Sequence, residues 1–196
     1  MGTNMLYYTK SMLTTFLYIF SIFTLIVFLL CMIAYTLSLF YSSFMGSPYV
    51  PTKQKELEFI LKESDLQKGN KFLEIGCGDG RVVRTAVKKY NVEGEGIDIN
   101  PLIIRYARFL ARMQKISCNF FVQNLFDTNY RTVDYIYLFL MPDLLTKLLP
   151  TLGNQVKKNT IVISHGFKLV DWEQYLYKTI PHRPFPTYFY KYGIKT

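Results

Sequence analysis

The stretch FLEIGCGDGR, residues 72–81, constrains this chain more than any other. An apolar strand pattern runs into Gly76, Gly78 and Gly80, and then into the helical pattern RVVRTAVKKY. Glycine tolerates the left-handed backbone and the close approach to a ligand that such a turn requires. A strand, a glycine turn and a helix in succession put that turn at the carboxyl mouth of a sheet, where ligands of α/β folds bind.

The pattern around the turn extends the reading. KFLEIG, VEGEGIDI, SCNFFVQ, VDYIYLFLM and NTIVISHG read as strands. RVVRTAVKKY, PLIIRYARFLARMQ and DLLTKLLPTLGNQV read as helices, the second with Pro101 in its first turn and the third interrupted at Pro150. Such alternation predicts an α/β, Rossmann-like doubly wound, mostly parallel sheet. The segments YLYKTI and TYFYKY, separated by PHRPFP, alternate apolar and polar residues and predict an antiparallel pair at one sheet edge, seven strands in all. Upstream, Thr52 is expected to cap a helix reaching Glu63, with Leu57, Ile60 and Leu61 as its apolar face.

The first forty-odd residues are of another kind. Met12 to Tyr41 carries no charge, roughly 30 residues where about 20 span a bilayer core. The run is too long for the apolar core of a signal peptide, and no small-residue cleavage site follows it. One N-terminal transmembrane helix is expected. The domains read as a flank (1–11), an anchor (12–44), a linker with the first helix (45–70) and a ligand-binding domain (71–196). Lys53, Lys55 and Lys62 outnumber Lys10 across the anchor, which predicts a single-pass protein with its domain on the cytoplasmic, or matrix, side. The part after residue 45 holds all 14 acidic and 22 of 23 basic residues, a net charge of +8. That suits an anionic membrane surface. The basic residues are scattered, which disfavours nucleic acid as a partner. With three dispersed cysteines and two histidines, neither a zinc site nor a disulfide framework is indicated, and no metal is expected.

The turn has the spacing G-x-G-x-G, whereas dinucleotide enzymes use G-x-G-x-x-G with a helix N-terminus facing a pyrophosphate. Asp79, inside the turn, would repel a pyrophosphate. A phosphate-free ligand with a positive centre fits better, and S-adenosylmethionine is one. Asp98 ends the second strand, 18 residues beyond Gly80, where an acid can accept bonds from a ribose diol. Asn100 is the better placed residue to cap the next helix. Asn124 can reach an adenine edge and Leu125 its face. Glu74, buried by pattern, can hold an ammonium or tie down the turn. With Cys77 and Ile99 these complete the candidate cofactor set.

Those residues resemble the seven-strand (class I) S-adenosylmethionine-dependent methyltransferases. More narrowly, PYVPT, EIGCGDGRVV and GIDINPLIIRYAR resemble the membrane-anchored protein lysine methyltransferases of the adenine nucleotide translocase and the ATP synthase c subunit, and their prokaryotic relatives. Pro48, Tyr49, Val50 and Pro51 fall on that group's pre-motif, Gly76, Gly78, Asp79, Gly80 and Arg81 on its loop, and Gly96, Asn100 and Pro101 on its second strand end. The likeness covers about residues 46–170. Glu74, Cys77, Asp98 and Asn124 replace the group's usual Asp, Ser, Glu and Asp. The stretches after strands four and five, LFLMPDLL and SHGFKL, diverge further, so acceptor identity does not carry over.

The expected function is methylation of lysine side chains on a membrane-associated protein. A sulfonium methyl is already activated, so alignment and water exclusion matter more than a strong base. Tyr49 is the candidate residue to close over the cofactor. Met141, Pro142 and His165 are candidates on the acceptor side, and Arg81 is expected to pair with Asp79 or Glu74. The alternatives are a lipid, quinone or other small hydrophobic acceptor, and a non-catalytic membrane module that retains the fold. A dinucleotide-dependent oxidoreductase is disfavoured by the loop spacing.

Overall fold

The computed structural model describes the backbone of residues 2–44 and 53–194, and side chains over 11–37 and 53–194. The chain forms two compact units, Met1–Tyr41 and Ser42–Thr196.

The first unit is helical, part of α1 (Gly2–Phe44). Its segment Ser11–Leu37 has 27 residues, a mean hydropathy of 2.8 and no buried share. At 1.5 Å per residue that is about 40 Å, against a hydrocarbon core of about 30 Å. The helix is therefore long and apolar enough to cross a membrane. Hydroxyls of Thr15, Ser21, Thr24 and Thr36 each donate to a carbonyl three or four residues back, so these polar groups are satisfied within the helix.

The second unit is a seven-stranded sheet in the order β3-β2-β1-β4-β5-β7-β6. The strands are β1 (Lys71–Ile75), β2 (Glu93–Asp98), β3 (Asn119–Val122), β4 (Tyr135–Leu138), β5 (Ile161–His165), β6 (Leu176–Ile180) and β7 (Thr187–Lys191). The first five are parallel, and β7 runs antiparallel between β5 and β6. The Rossmann-like reading and the antiparallel pair both hold. Strand order reverses at β1, with β2 and β3 on one side and β4 and β5 on the other. Ligands of doubly wound sheets sit in the crevice at such a switch point, and the glycine turn follows β1 there.

Side-chain alternation divides the core. Phe72, Tyr135, Tyr137 and Ile163 pack with α2 (Gln54–Glu63), α3 (Arg81–Tyr90) and α4 (Pro101–Met113) on one face. Leu73, Ile75, Ile136, Leu138 and Val162 pack with α5 (Pro142–Gln155) on the other. Leu57, Ile60 and Leu61 are fully buried, as their spacing implied. Lys53, rather than Thr52, occupies the capping position of α2, and it makes no side-chain cap bond. Thr52 itself lies outside the described residues.

The expected interruption at Pro150 does not occur, because α5 runs unbroken from Pro142 to Gln155. Leu145, Leu148, Leu149 and Leu152 are buried on both sides of the proline, and their packing outweighs the missing N–H. Pro150 is exposed, so its ring brings strain without contributing to the core. Pro150→Ala is expected to stabilise the domain by about 1–2 kcal/mol, the helix-interior cost of proline less its restraint of the unfolded chain. Thermal unfolding followed by circular dichroism should show a melting temperature roughly 2–8 °C higher. An unchanged or lower value would mean that the helix carries no strain there.

Candidate active site

The turn after β1 is a knot in the backbone. Gly76, Gly78 and Gly80 all take positive φ, at 72°, 51° and 73°. The N–H groups of Gly76 and Cys77 both donate to the carbonyl of Ile97 in β2, each at 2.9 Å. Gly80 N–H donates to the Cys77 carbonyl at 2.8 Å, and Gly78 N–H donates to the Asp98 carboxylate at 3.1 Å. Four donors at the mouth of the sheet are therefore consumed internally. A pyrophosphate site needs such N–H groups facing outward. This turn offers a bare glycine surface and carboxylates instead. Gly80 also sits where a Cβ would lie 2.3 Å from the Phe120 ring, so no other residue fits there without displacement.

The end of β2 is tied to the same knot. Asp98 accepts from Gly78 N–H with one oxygen and from Asn100 N–H with the other, at 2.9 Å. Ile99 N–H also favours the charged carboxylate, which is oriented by these donors but keeps acceptor capacity. Asn100 caps α4, its side-chain oxygen accepting from Leu102 and Ile103 N–H, with Pro101 in the first turn. Ile99 lies between them, half-buried.

Three carboxyl groups converge here. Glu74 is buried and accepts from Val83 N–H at 3.4 Å, which ties β1 to α3. Burial, and then the negative Asp79, push its carboxyl well up. Burial also raises Asp98, against the bonds from Asn100 and Gly78. Burial pulls Asp79 upward as well, but its paired Arg81 outweighs that and holds it below the usual range. The Arg81–Asp79 ion pair, at 2.8 Å, is one of the two pairings expected from sequence. Arg84 donates to the Asp79 carbonyl and to Gln114. The result is an acid-rich pocket floor in which two arginines match Asp79 and Asp98 in number and Glu74 is held toward its protonated form. What it accommodates is positive charge, which helps Glu74 to ionise.

Beyond β3, Asn124 accepts from Phe126 N–H at 3.0 Å and begins a short 3-10 turn, Leu125–Asp127. Its oxygen thus serves the turn, and its amide N–H groups are what remain to face a ligand. Leu125 packs against the α5 side of the core. Tyr49 and the rest of Pro48–Pro51 lie outside the described residues.

The acceptor-side candidates separate. β4 ends at Leu138, three residues earlier than the apolar run suggested. Met141 is exposed at the capping position of α5, and Pro142 is its first residue. Both therefore start a helix rather than end the strand. His165 ends β5, only 1% exposed, with its ring 4.5 Å from that of Phe139. Burial, then neighbouring His182, lower its imidazole to about 4, so it is neutral at neutral pH.

Sequence reasoning missed what surrounds His165. His182 and Glu56 stand beside it, and Thr187 Oγ1 touches both imidazoles. One signal was available: Glu56 adjoins Leu57 on the face of α2 that enters the core.

This geometry meets known proteins at two levels. The family model described as the ANTKMT methyltransferase domain matches residues 74–175. A protein-lysine N-methyltransferase from Saccharolobus islandicus is 32% identical over 130 residues, covering 64% of this chain and 80% of that protein. The chain belongs to the ANTKMT methyltransferase family. The human lysine N-methyltransferase of the ATP synthase c subunit is 27% identical over 127 residues, and there the match spans 64% of this chain but only 54% of the relative. Among solved structures, an RNA methyltransferase from Salinibacter ruber bound to S-adenosyl-L-homocysteine superposes with a TM-score of 0.69. It is 27% identical, over 72% of this chain and 93% of that one. The chain is thus an S-adenosylmethionine-dependent methyltransferase of class I, and its cofactor is the cationic, phosphate-free ligand for which the turn is suited.

Glu74 provides a test of the electrostatics. A carboxyl whose folded value is raised binds its proton more tightly folded than unfolded. Its stabilising contribution is complete below the unfolded value and falls as pH rises through the folded one. Glu74→Gln should therefore melt close to the native protein near pH 4. It should exceed it by a margin that grows toward pH 8, of order 1 kcal/mol or about 2–4 °C. Melting curves of ligand-free protein across that range check this, and a gap independent of pH would show that Glu74 is ionised in the fold.

Proposed function

We propose that this chain is a membrane-anchored methyltransferase that transfers the methyl group of S-adenosylmethionine to lysine side chains of a membrane-associated protein. The observation that carries the reading is a conjunction. A family domain whose relatives include lysine N-methyltransferases follows a helix long and apolar enough to cross a membrane. α4 supports it. Leu102, Tyr106, Phe109 and Met113 are exposed along one side, among Arg105, Arg108 and Arg112. Apolar and basic residues mixed in this way suit a lipid or protein surface. Tethering raises the effective concentration of a membrane-bound acceptor without new contacts. The lysine-rich flank after the helix favours the cytoplasmic, or matrix, side for the domain.

In this reading Asp98 accepts from the ribose diol, and the turn Gly76–Gly80 passes beneath the methionine moiety. Glu74 and its neighbouring acids favour the ammonium and the sulfonium. Asn124 offers its amide N–H groups to the adenine, with Leu125 beside it. Ile99 and Asn100 complete the ribose side, and Tyr49 closes over the cofactor. The acceptor amine must be neutral, and an apolar mouth lowers its pKa. Its nitrogen lone pair attacks the methyl carbon as the carbon–sulfur bond breaks. The bonding pair leaves on sulfur, giving S-adenosylhomocysteine and a methylated ammonium, and the one proton released is that which the lysine ammonium gives up to water before the attack.

Two measurements test this. Asp98→Ala should weaken S-adenosylmethionine binding about 10- to 100-fold in calorimetric titration, the loss of charge-assisted hydrogen bonds of roughly 1.5–3 kcal/mol. Methyl-labelled cofactor supplied with membranes should leave its label in protein, on lysine after hydrolysis. Label confined to the lipid extract would replace the protein acceptor with a small hydrophobic one.

A further inference from the structure

The chain contains two histidines, 17 residues apart, and both stand in one cluster with a single acid. His165 comes from the end of β5, His182 from the connection between β6 and β7, and Glu56 from α2. One prospective ligand atom from each lies within 4.8 Å of the other two. Glu56 Oε1 is 3.2 Å from His182 Nδ1 and 3.9 Å from His165 Nε2.

The arrangement of protons shows what is lacking. Thr187 Oγ1 lies 2.9 Å from His165 Nδ1 and 3.0 Å from His182 Nε2. Each ring therefore uses its far nitrogen on the same hydroxyl and turns its near nitrogen toward Glu56. Suppose the hydroxyl accepts from both rings. Both near nitrogens are then bare lone pairs beside a carboxylate. Suppose instead that it donates to one ring. One near nitrogen gains a hydrogen and the other remains bare. In either case, with one hydrogen on each ring, at least one near nitrogen presents a lone pair to an oxygen that is itself an acceptor. Glu56 Oε1 is buried and receives no hydrogen bond, and its 3.2 Å approach to His182 lacks hydrogen-bond geometry. At least two electron-pair donors, and three when the hydroxyl accepts from both rings, thus face one another without an adequate positive partner.

We propose that Glu56, His165 and His182 form a binding site for a divalent transition-metal ion of the zinc type. Two imidazoles and one carboxylate are the donor set such ions take, at about 2.0–2.2 Å. Ligands at tetrahedral angles and that distance stand about 3.3 Å apart. The Glu56–His182 separation already matches, and the longer sides need to contract by at most about 1.5 Å. Thr187, fully buried, is the outer-shell acceptor that metal-bound imidazoles characteristically have for their remaining N–H. The side chains of Glu56 and His182 are 13% and 20% exposed, which leaves an entry path and an open fourth position. An ion held here joins α2, β5 and the β6–β7 connection. The inference does not depend on the identity of the methyl acceptor.

The experiment titrates Zn²⁺ into the full chain, tag-free and in detergent, against a chromophoric chelator. Thermal unfolding and Co²⁺ spectra are recorded in parallel. The expected result is one ion per chain and a higher melting temperature with zinc. The cobalt form should show the intense visible bands of a four-coordinate nitrogen and oxygen site. Glu56→Gln and His182→Asn should each weaken binding at least 100-fold, and Thr187→Val about 10- to 100-fold. Should a histidine variant fail to fold, Glu56→Gln and the cobalt spectrum of the native chain still decide. Zinc bound equally well by Glu56→Gln, no stoichiometric binding, or a thiolate charge-transfer band placing the ion on a cysteine would each overturn the site.

Discussion

A single carbonyl oxygen holds this site together. The Ile97 carbonyl, in β2, accepts the N–H groups of both Gly76 and Cys77, so the chain leaving β1 is bent back onto its neighbour before it can enter α3. That bend brings Gly78 within reach of Asp98 and places Glu74 under the first turn of α3. It also crowds β2. A Cβ on Gly96 would lie 2.8 Å from Cys77 Cβ, and one on Gly94 2.4 Å from Val87. Gly96 is thus set by the turn after the first strand, and Gly94 by the helix that follows that turn.

The same bend concentrates negative charge, and under the proposed function that bears on cofactor exchange. S-adenosylmethionine carries a sulfonium and an ammonium against one carboxylate. S-adenosylhomocysteine has lost the sulfonium charge. A floor made of Asp79, Asp98 and a Glu74 that a nearby cation helps to ionise holds the first more firmly than the second. Electrostatics that favour loading therefore also favour release once the methyl group has gone.

Much of this was legible from local chemistry. Strands β1 and β2, the glycine turn, the Asn100 cap with Pro101 behind it, and the Arg81–Asp79 pair all follow from residues within a few positions of one another. Misreadings arose where distant packing decides. Pro150 reads as a helix breaker, but four leucines pressed into the sheet hold α5 together around it. The apolar run through Met141 reads as one strand, yet pairing with β1 and β5 ends it at Leu138. The grouping of Glu56, His165, His182 and Thr187 leaves only one trace in the sequence, the place of Glu56 beside Leu57, since α2, β5, the β6–β7 connection and β7 each supply one member. Tyr49 lies outside the described residues, and its role rests on the motif resemblance alone.

The position of β7 governs the order in which the domain can be completed. Residues 187–191 form the last strand among the described residues, yet they lie inside the sheet, between β5 and β6. Domains fold largely as they emerge from the ribosome, N-terminal parts first. The five parallel strands and the glycine turn can assemble while β5 still presents an open edge, and such an edge invites pairing with other chains. His165 meets Thr187 only when that edge is filled. During synthesis, then, the strands of the cofactor side emerge first, and the histidine cluster closes only once β7 has followed.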